Sequence, residues 1–212
     1  MEFIYLLPGA FFAPILHEWV KAIVSTLQGD PTPRDKGFLT GNPLKFFEPV
    51  GFFLMLLRGV GWGQPVPTAS LHYKNRRQGT LITYITPSVV NLVIGMLTIA
   101  LVSLMAGVSV EAFVVVRQAH MNQLGDIHFM MMMFLFAFAQ CNVWLALFNL
   151  IPVHPLDSSV ILRMFAKPDT LVKLNHYEKP MQIILMLALV LGVVHMLFNP
   201  LWITILRMAW LV

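Results

Sequence analysis

The sequence predicts an all-α integral membrane protein: a bundle of four to six membrane segments with one re-entrant or half-membrane segment and a short hairpin-like loop. Three observations predict it. Of 212 residues, 58% are hydrophobic and only 11% charged, where soluble domains carry about 25% charged residues. Mean hydropathy is +0.74. The apolar residues also fall in runs, and about 20 helical residues suffice to cross a hydrocarbon core of roughly 30 Å. No internal repeat and no low-complexity linker interrupts the chain, so residues 1–212 read as one membrane-embedded domain.

The first run, Phe3–Leu27, is long enough to span. Met1 and Glu2 lead straight into it without a basic leader or a small-residue cleavage site, so it reads as a retained helix. Pro8 and Pro14 are expected to bend it, which membrane helices tolerate when neighbours satisfy the freed carbonyls. Gln28–Phe47 is rich in Gly, Pro and charge and reads as a loop with a short extended hairpin around Gly37–Thr40. In Glu48–Gly61 the uninterrupted apolar part, Pro49 to Leu57, is too short to span, and Arg58 follows it. That pattern predicts a re-entrant segment. A polar loop, Trp62–Gly79, precedes a second full span at Thr80–Gly107. A mildly polar linker, Val108–Ile127, leads to a third span at His128–Val153. His154–Pro180 is polar, Met181–Phe198 is a fourth span, and Asn199-Pro200 separates it from an apolar tail, Leu201–Val212.

Charge gives an orientation. With Glu48–Gly61 re-entrant, the loops on one side hold Arg34, Lys36, Lys45, Lys74, Arg76, Arg77, Arg163, Lys167, Lys173 and Lys179, against Arg117 alone on the other. The positive-inside rule then places those basic loops in the cytoplasm. The net charge of +4 fits this asymmetry and does not call for nucleic acid. The partners expected are membrane lipid and a transmembrane protein, either as substrate or as partner helix. Cys141 is the one cysteine, so no internal disulfide forms.

The polar residues inside the apolar runs carry the chemistry. A His and a Glu within a membrane helix are costly and mark a functional site by default. His17-Glu18-Trp19-Val20-Lys21 follows the zinc-protease pattern His-Glu-x-x-His except at its last position. In that pattern two histidines one helical turn apart bind the metal, and the Glu takes a proton from metal-bound water. A second constellation, Asn149-Leu150-Ile151-Pro152-Val153-His154-Pro155-Leu156-Asp157, closes the third span. Two prolines hold its backbone out of helix, which lets Asp157 point back into the bundle. A carboxylate is a good third ligand beside imidazole.

Together these elements resemble the site-2 protease family of intramembrane zinc metalloproteases, in its short bacterial branch without an inserted periplasmic domain. The family pairs His-Glu-x-x-His with a later Asn-x-x-Pro-x-x-Pro-Leu-Asp-Gly. Between them lie stretches similar to Gly29-Asp30-Pro31-Thr32, to Leu39-Thr40-x-Asn42-Pro43-Leu44 and to Pro49-x-Gly51. Further on come matches to Gly61-Trp62-Gly63-Gln64-Pro65-Val66-Pro67, to Asn75-Arg76-Arg77, and to Pro87 with Asn91. The matches run in order over residues 16–159. The resemblance implies a protein of the bacterial cytoplasmic membrane. It also implies His17 and Asp157 as zinc ligands, Glu18 as general base, and Asn91 and Asn149 as polar residues near substrate and site.

The chain departs from that pattern at three positions. Ser158 replaces the Gly after the Asp, His154 stands where the family has an apolar residue or Pro, and Lys21 replaces the second histidine. An ammonium has no lone pair for a metal, and lysine is not among the usual zinc ligands. Three and four residues from Glu18 and His17, its Nζ reaches the space a zinc ion would take and is able to pair with Glu18 and Asp157, leaving a site without metal. His154, three residues before Asp157, is the candidate replacement ligand. Three function classes stay open: an active intramembrane zinc protease, a pseudoprotease that binds transmembrane segments without cutting them, and an ion or proton pathway over Glu18, Lys21 and Asp157.

Overall fold

A computed structural model describes residues 3–107 and 127–208. Most of the linker expected at Val108–Ile127, with Arg117 and His120, and the last residues of the tail lie outside the described residues. Nine α-helices are described, and no strand is formed among the described residues. They are α1 (Phe3–Leu27), α2 (Thr32–Asp35), α3 (Pro49–Arg58), α4 (Arg76–Ala106), α5 (Ile127–Asn149), α6 (Asp157–Phe165), α7 (Pro168–His176), α8 (Glu178–Val190) and α9 (Val193–Met208).

By length and apolarity α4 and α5 can each cross a membrane, and α8 with α9 makes a third candidate span bent by 67°. The bend falls at Gly192, whose φ of +77° lies in a region side chains with a Cβ rarely adopt. Outward faces of α8 and α9 expose Ile183, Ile184, Leu187 and Leu197, as helices facing acyl chains do.

The centre of the bundle is α1, α4 and α5. In a membrane, helices gain little from burying apolar surface against one another, so close contact has to come from shape. Small residues provide it here. A Cβ at Gly9 of α1 would come within 2.8 Å of the Cys141 sulfur, and one at Gly95 of α4 within 2.6 Å of a Val143 methyl. Asn91 locks the three helices: its amide donates to the Ala13 carbonyl of α1 at 3.2 Å and to Asn142 Oδ1 of α5 at 3.1 Å. Trp144, Phe148, Ile99 and Val102 are fully buried in the core around this tie.

The short apolar segment behaves as its length demands. Glu48 caps α3 by accepting from the Gly51 N–H, Pro49 occupies its first turn, and Gly59 ends it with φ +71°. The chain then doubles back. The Gln64 N–H donates to the Phe46 carbonyl at 2.8 Å, so entry and exit of the excursion are bonded together and Arg58 lies at its tip. Gly51 and Gly61 let the two limbs touch, since a Cβ at Gly51 would collide with the Trp62 backbone.

Between α1 and α3 the chain forms α2, a turn at Gly37 and a single 3-10 turn, Pro43–Phe46. No strand pair forms around Gly37–Thr40. The third span is shorter than the apolar run suggests: α5 stops at Asn149. Pro152 pushes the residue before it out of helical backbone, and Ser158 Oγ donates to the Asn149 carbonyl at 2.7 Å, occupying one freed acceptor. Polar residues 154–180 fold into α6 and α7 rather than a long loop.

Candidate functional site

Two elements far apart in sequence build the site. The second half of α1 presents His17, Glu18 and Lys21 on one face, as i, i+1 and i+4 spacing requires. α6 presents Asp157 as its first residue, where an acid also complements the helix dipole. All four side chains are buried.

Lys21 is the hub. Its Nζ donates to Glu18 Oε1 at 2.7 Å and lies 2.7 Å from Asp157 Oδ1. The other Asp157 oxygen lies 3.0 Å from His17 Nε2. The other Glu18 oxygen accepts the Val66 N–H at 2.9 Å. That donor is a consequence of sequence: Pro65 and Pro67 have no N–H, so Val66 supplies the one amide hydrogen of the Pro-Val-Pro stretch. Every oxygen of both carboxylates is therefore engaged by a donor or cation. His17 Nδ1 is buried and unpartnered. Tyr84 of α4 closes the site, with Lys21 Nζ 5.8 Å from its ring centroid.

The return limb of the re-entrant excursion is held against the site. A Cβ at Gly63 would approach the Pro14 carbonyl to 2.9 Å and Glu18 Cγ to 3.1 Å, so glycine sets how closely this segment passes Glu18. Further along, buried Asp30 pins the limb to the end of α1. It accepts from the Thr32 N–H at 2.9 Å, the Ala69 N–H at 2.7 Å and Ser25 Oγ at 2.9 Å. Burial alone would raise the Asp30 carboxyl; these hydrogen bonds outweigh it and hold the group below the usual carboxylate value.

Other expected site residues lie elsewhere. His154 Nδ1 faces Gln182 Nε2 at 3.1 Å and Glu178 Oε1 at 3.2 Å, where Arg163 also binds Glu178. It joins the loop before α6 to α8 and is not grouped with His17 and Asp157. Asn91 is the interhelical tie described above. Asn149 donates to the Leu145 carbonyl of its own helix at 3.1 Å. Tyr84 and Val66 were not anticipated. Tyr84 shares a face of α4 with Pro87 and Asn91, at i+3 and i+7, and that spacing was the available signal; nothing local marks Val66.

The chain matches the family model of Peptidase family M50 over residues 2–197. It belongs to that family, the site-2 proteases. A Bacillus subtilis (strain 168) protein named "Putative zinc metalloprotease YwhC" is 29% identical over 174 residues, which cover 82% of this chain and 74% of that protein. No solved structure matches.

M50 membership leads to the expectation of zinc. A catalytic zinc takes three protein ligands with available lone pairs, at about 2.0–2.2 Å for imidazole nitrogen and carboxylate oxygen. Among the described residues no group of three His, Cys, Asp or Glu side chains is arranged to hold a metal ion. His17 and Asp157 bond to each other, and the Lys21 ammonium, which has no lone pair for a metal, lies 2.7 Å from both Glu18 and Asp157. The donor set as arranged does not fit a zinc ion.

Proposed function

We propose that this M50 membrane protein is a pseudoprotease in which the Lys21 ammonium stands in for zinc, and that it holds a segment of another membrane protein without hydrolysing it. The observation that carries this reading is the position of Lys21 Nζ, 2.7 Å from both Glu18 and Asp157. An M50-type hydrolysis needs a Lewis acid to make water nucleophilic at neutral pH and a carboxylate free to take its proton. Here the cation is one that cannot ligate water, and both Glu18 oxygens are already accepting.

Binding is a separate matter from cleavage. A cavity of about 540 Å³ opens beside α1, lined by Phe12, Leu16, Trp19, Pro43 and Phe46. Leu16 and Trp19 lie on the face of α1 turned away from His17, Glu18 and Lys21, so the cavity offers an apolar seat on the outside of α1 and none of the polar quartet lines it. This favours a transmembrane segment as the partner, in the bacterial cytoplasmic membrane, with the basic loops cytoplasmic.

A second reading, an active zinc metalloprotease, is favoured by the retention of His17, Glu18 and Asp157 and by the name of the Bacillus relative. It requires Lys21 to release both carboxylates. A photocrosslinking residue at Trp19 in the full-length protein separates the two. The pseudoprotease gives adducts of intact membrane polypeptides, unchanged when Glu18→Gln is added. Truncated products that vanish with Glu18→Gln would establish the protease.

A further inference from the structure

A second cavity, of mixed polar and apolar lining, lies well away from the quartet. It has a volume of about 470 Å³ and is bounded by the tip of the re-entrant excursion, by α1, by α5 and by the break between α8 and α9. Tyr5 lines it from α1, twelve residues and about 18 Å of helix from His17. Gln140 lines it from near the middle of α5, a candidate span, so the cavity lies at intramembrane depth.

Arg58 dominates this space. A guanidinium keeps its charge in proteins and offers five donors and no acceptor. Charged side chains at this depth mark functional sites and take partners, yet among the described residues no carboxylate pairs with Arg58. Beside it, Trp144 is fully buried and turns the benzo edge of its indole toward Gly59 at the tip. Gln140 adds an amide, and His195 stands against the Trp144 ring with centroids 4.5 Å apart. The cavity thus presents one permanent positive charge beside neutral polar groups, and no carboxylate is among its lining residues.

We propose that this cavity binds the acidic head of a lipid, a phosphate or carboxylate held by the Arg58 guanidinium with the Gln140 amide beside it. Two oxygens of such a head match the planar fork of arginine. The volume suits a single small ligand. Leu57, Leu191 and Leu197 are exposed around the cavity, so the acyl chains leave along surfaces that already face the membrane. Gly192, next to Arg58 at the break of the bent pair, makes the bound head a bridge between the re-entrant tip and α8–α9.

Native mass spectrometry of the detergent-purified full chain tests this directly. The protein is presented with equal phosphatidylglycerol and phosphatidylethanolamine, and separately with oleate. The native chain is expected to retain phosphatidylglycerol or oleate at least about fivefold over phosphatidylethanolamine; which of the two it keeps identifies the head as phosphate or carboxylate. Arg58→Gln is expected to abolish that preference, Arg58→Lys to keep part of it, and Arg34→Gln, the same charge loss at an exposed position of the short helix α2, to leave it unchanged. Added phosphatidylglycerol or oleate should raise the melting temperature of the native chain and not that of Arg58→Gln. Equal retention of anionic and zwitterionic lipid, a preference that survives Arg58→Gln, or a bound polypeptide in place of lipid would each overturn the proposal.

Discussion

Lys21 Nζ lies 2.7 Å from Asp157 Oδ1, joining α1 to the start of α6. The same ammonium holds Glu18 at 2.7 Å. In the proposed reading this ammonium takes the place of a metal ion. His17 Nε2 and Asp157 Oδ2 lie 3.0 Å apart beside it.

Restoring the ligand should restore the metal. In Lys21→His the ammonium is gone, and His17, the new imidazole and Asp157 form the three-ligand set that a catalytic zinc uses. The variant is expected to purify with close to one zinc per chain by elemental analysis. A Lys21→His,Asp157→Ala double variant is expected to lose it.

Breaking the ion cluster should cost more than replacing it. Asp157→Ala leaves Lys21 with one carboxylate and His17 without its partner, and removing one member of a buried pair costs about 3–5 kcal/mol. Replacing the whole charged set, Lys21→Met with Glu18→Gln and Asp157→Asn, leaves no uncompensated charge and is expected to lie within about 2 kcal/mol of the native chain. Thermal or denaturant unfolding in detergent measures both.

The re-entrant excursion depends on a glycine contact. In Gly51→Ala the new methyl meets the Trp62 backbone, which has no flexible end to move aside. Overpacking of this kind costs about 1–3 kcal/mol. The expected signature is faster proteolysis or cysteine labelling between residues 59 and 67, with α4 and α5 unaffected.

Asp30 supplies a pH dependence outside the membrane segments. Burial pushes its carboxyl up, and donors from Thr32, Ala69 and Ser25 more than reverse this, so its folded value lies below the ordinary value of 3.8. A depressed acid stabilises the fold fully above the unfolded value and loses that contribution as pH falls through the folded one. Asp30→Asn should therefore be less stable than the native chain by about 1–3 kcal/mol at pH 7. The gap should close as pH falls from the ordinary value of 3.8 through the lower folded value, as melting temperatures at several pH values will register.

Much of this was legible in the sequence, because long apolar runs and rare polar residues inside them are local signals. Phe3–Leu27 is helical to the residue, α4 begins four residues before the expected Thr80, and α3 stops at Arg58 as its length requires. The convergence of His17, Glu18, Lys21 and Asp157 followed from spacing on one helix and from the resemblance carried by the Asp157 segment. What sequence could not supply depends on three-dimensional register. The Val66 N–H reaches Glu18 only because the excursion folds back and is bonded at Phe46 and Gln64. His154 is as close to Asp157 in sequence as a replacement ligand needs to be, yet the backbone turn before α6 sends it toward Glu178. The α5 terminus at Asn149 was hidden because apolar residues continue to Val153 while proline geometry ends the helix first.

The central claim is that Lys21 takes the place of the metal, and the zinc content of the native full-length chain tests it most directly. Protein purified in detergent, supplied with zinc and then freed of loosely bound ions, is expected to hold less than about 0.1 zinc per chain, in line with the absence of a fitting donor set. About one zinc per chain, lost in Asp157→Ala, would contradict the account and return this protein to the active zinc proteases.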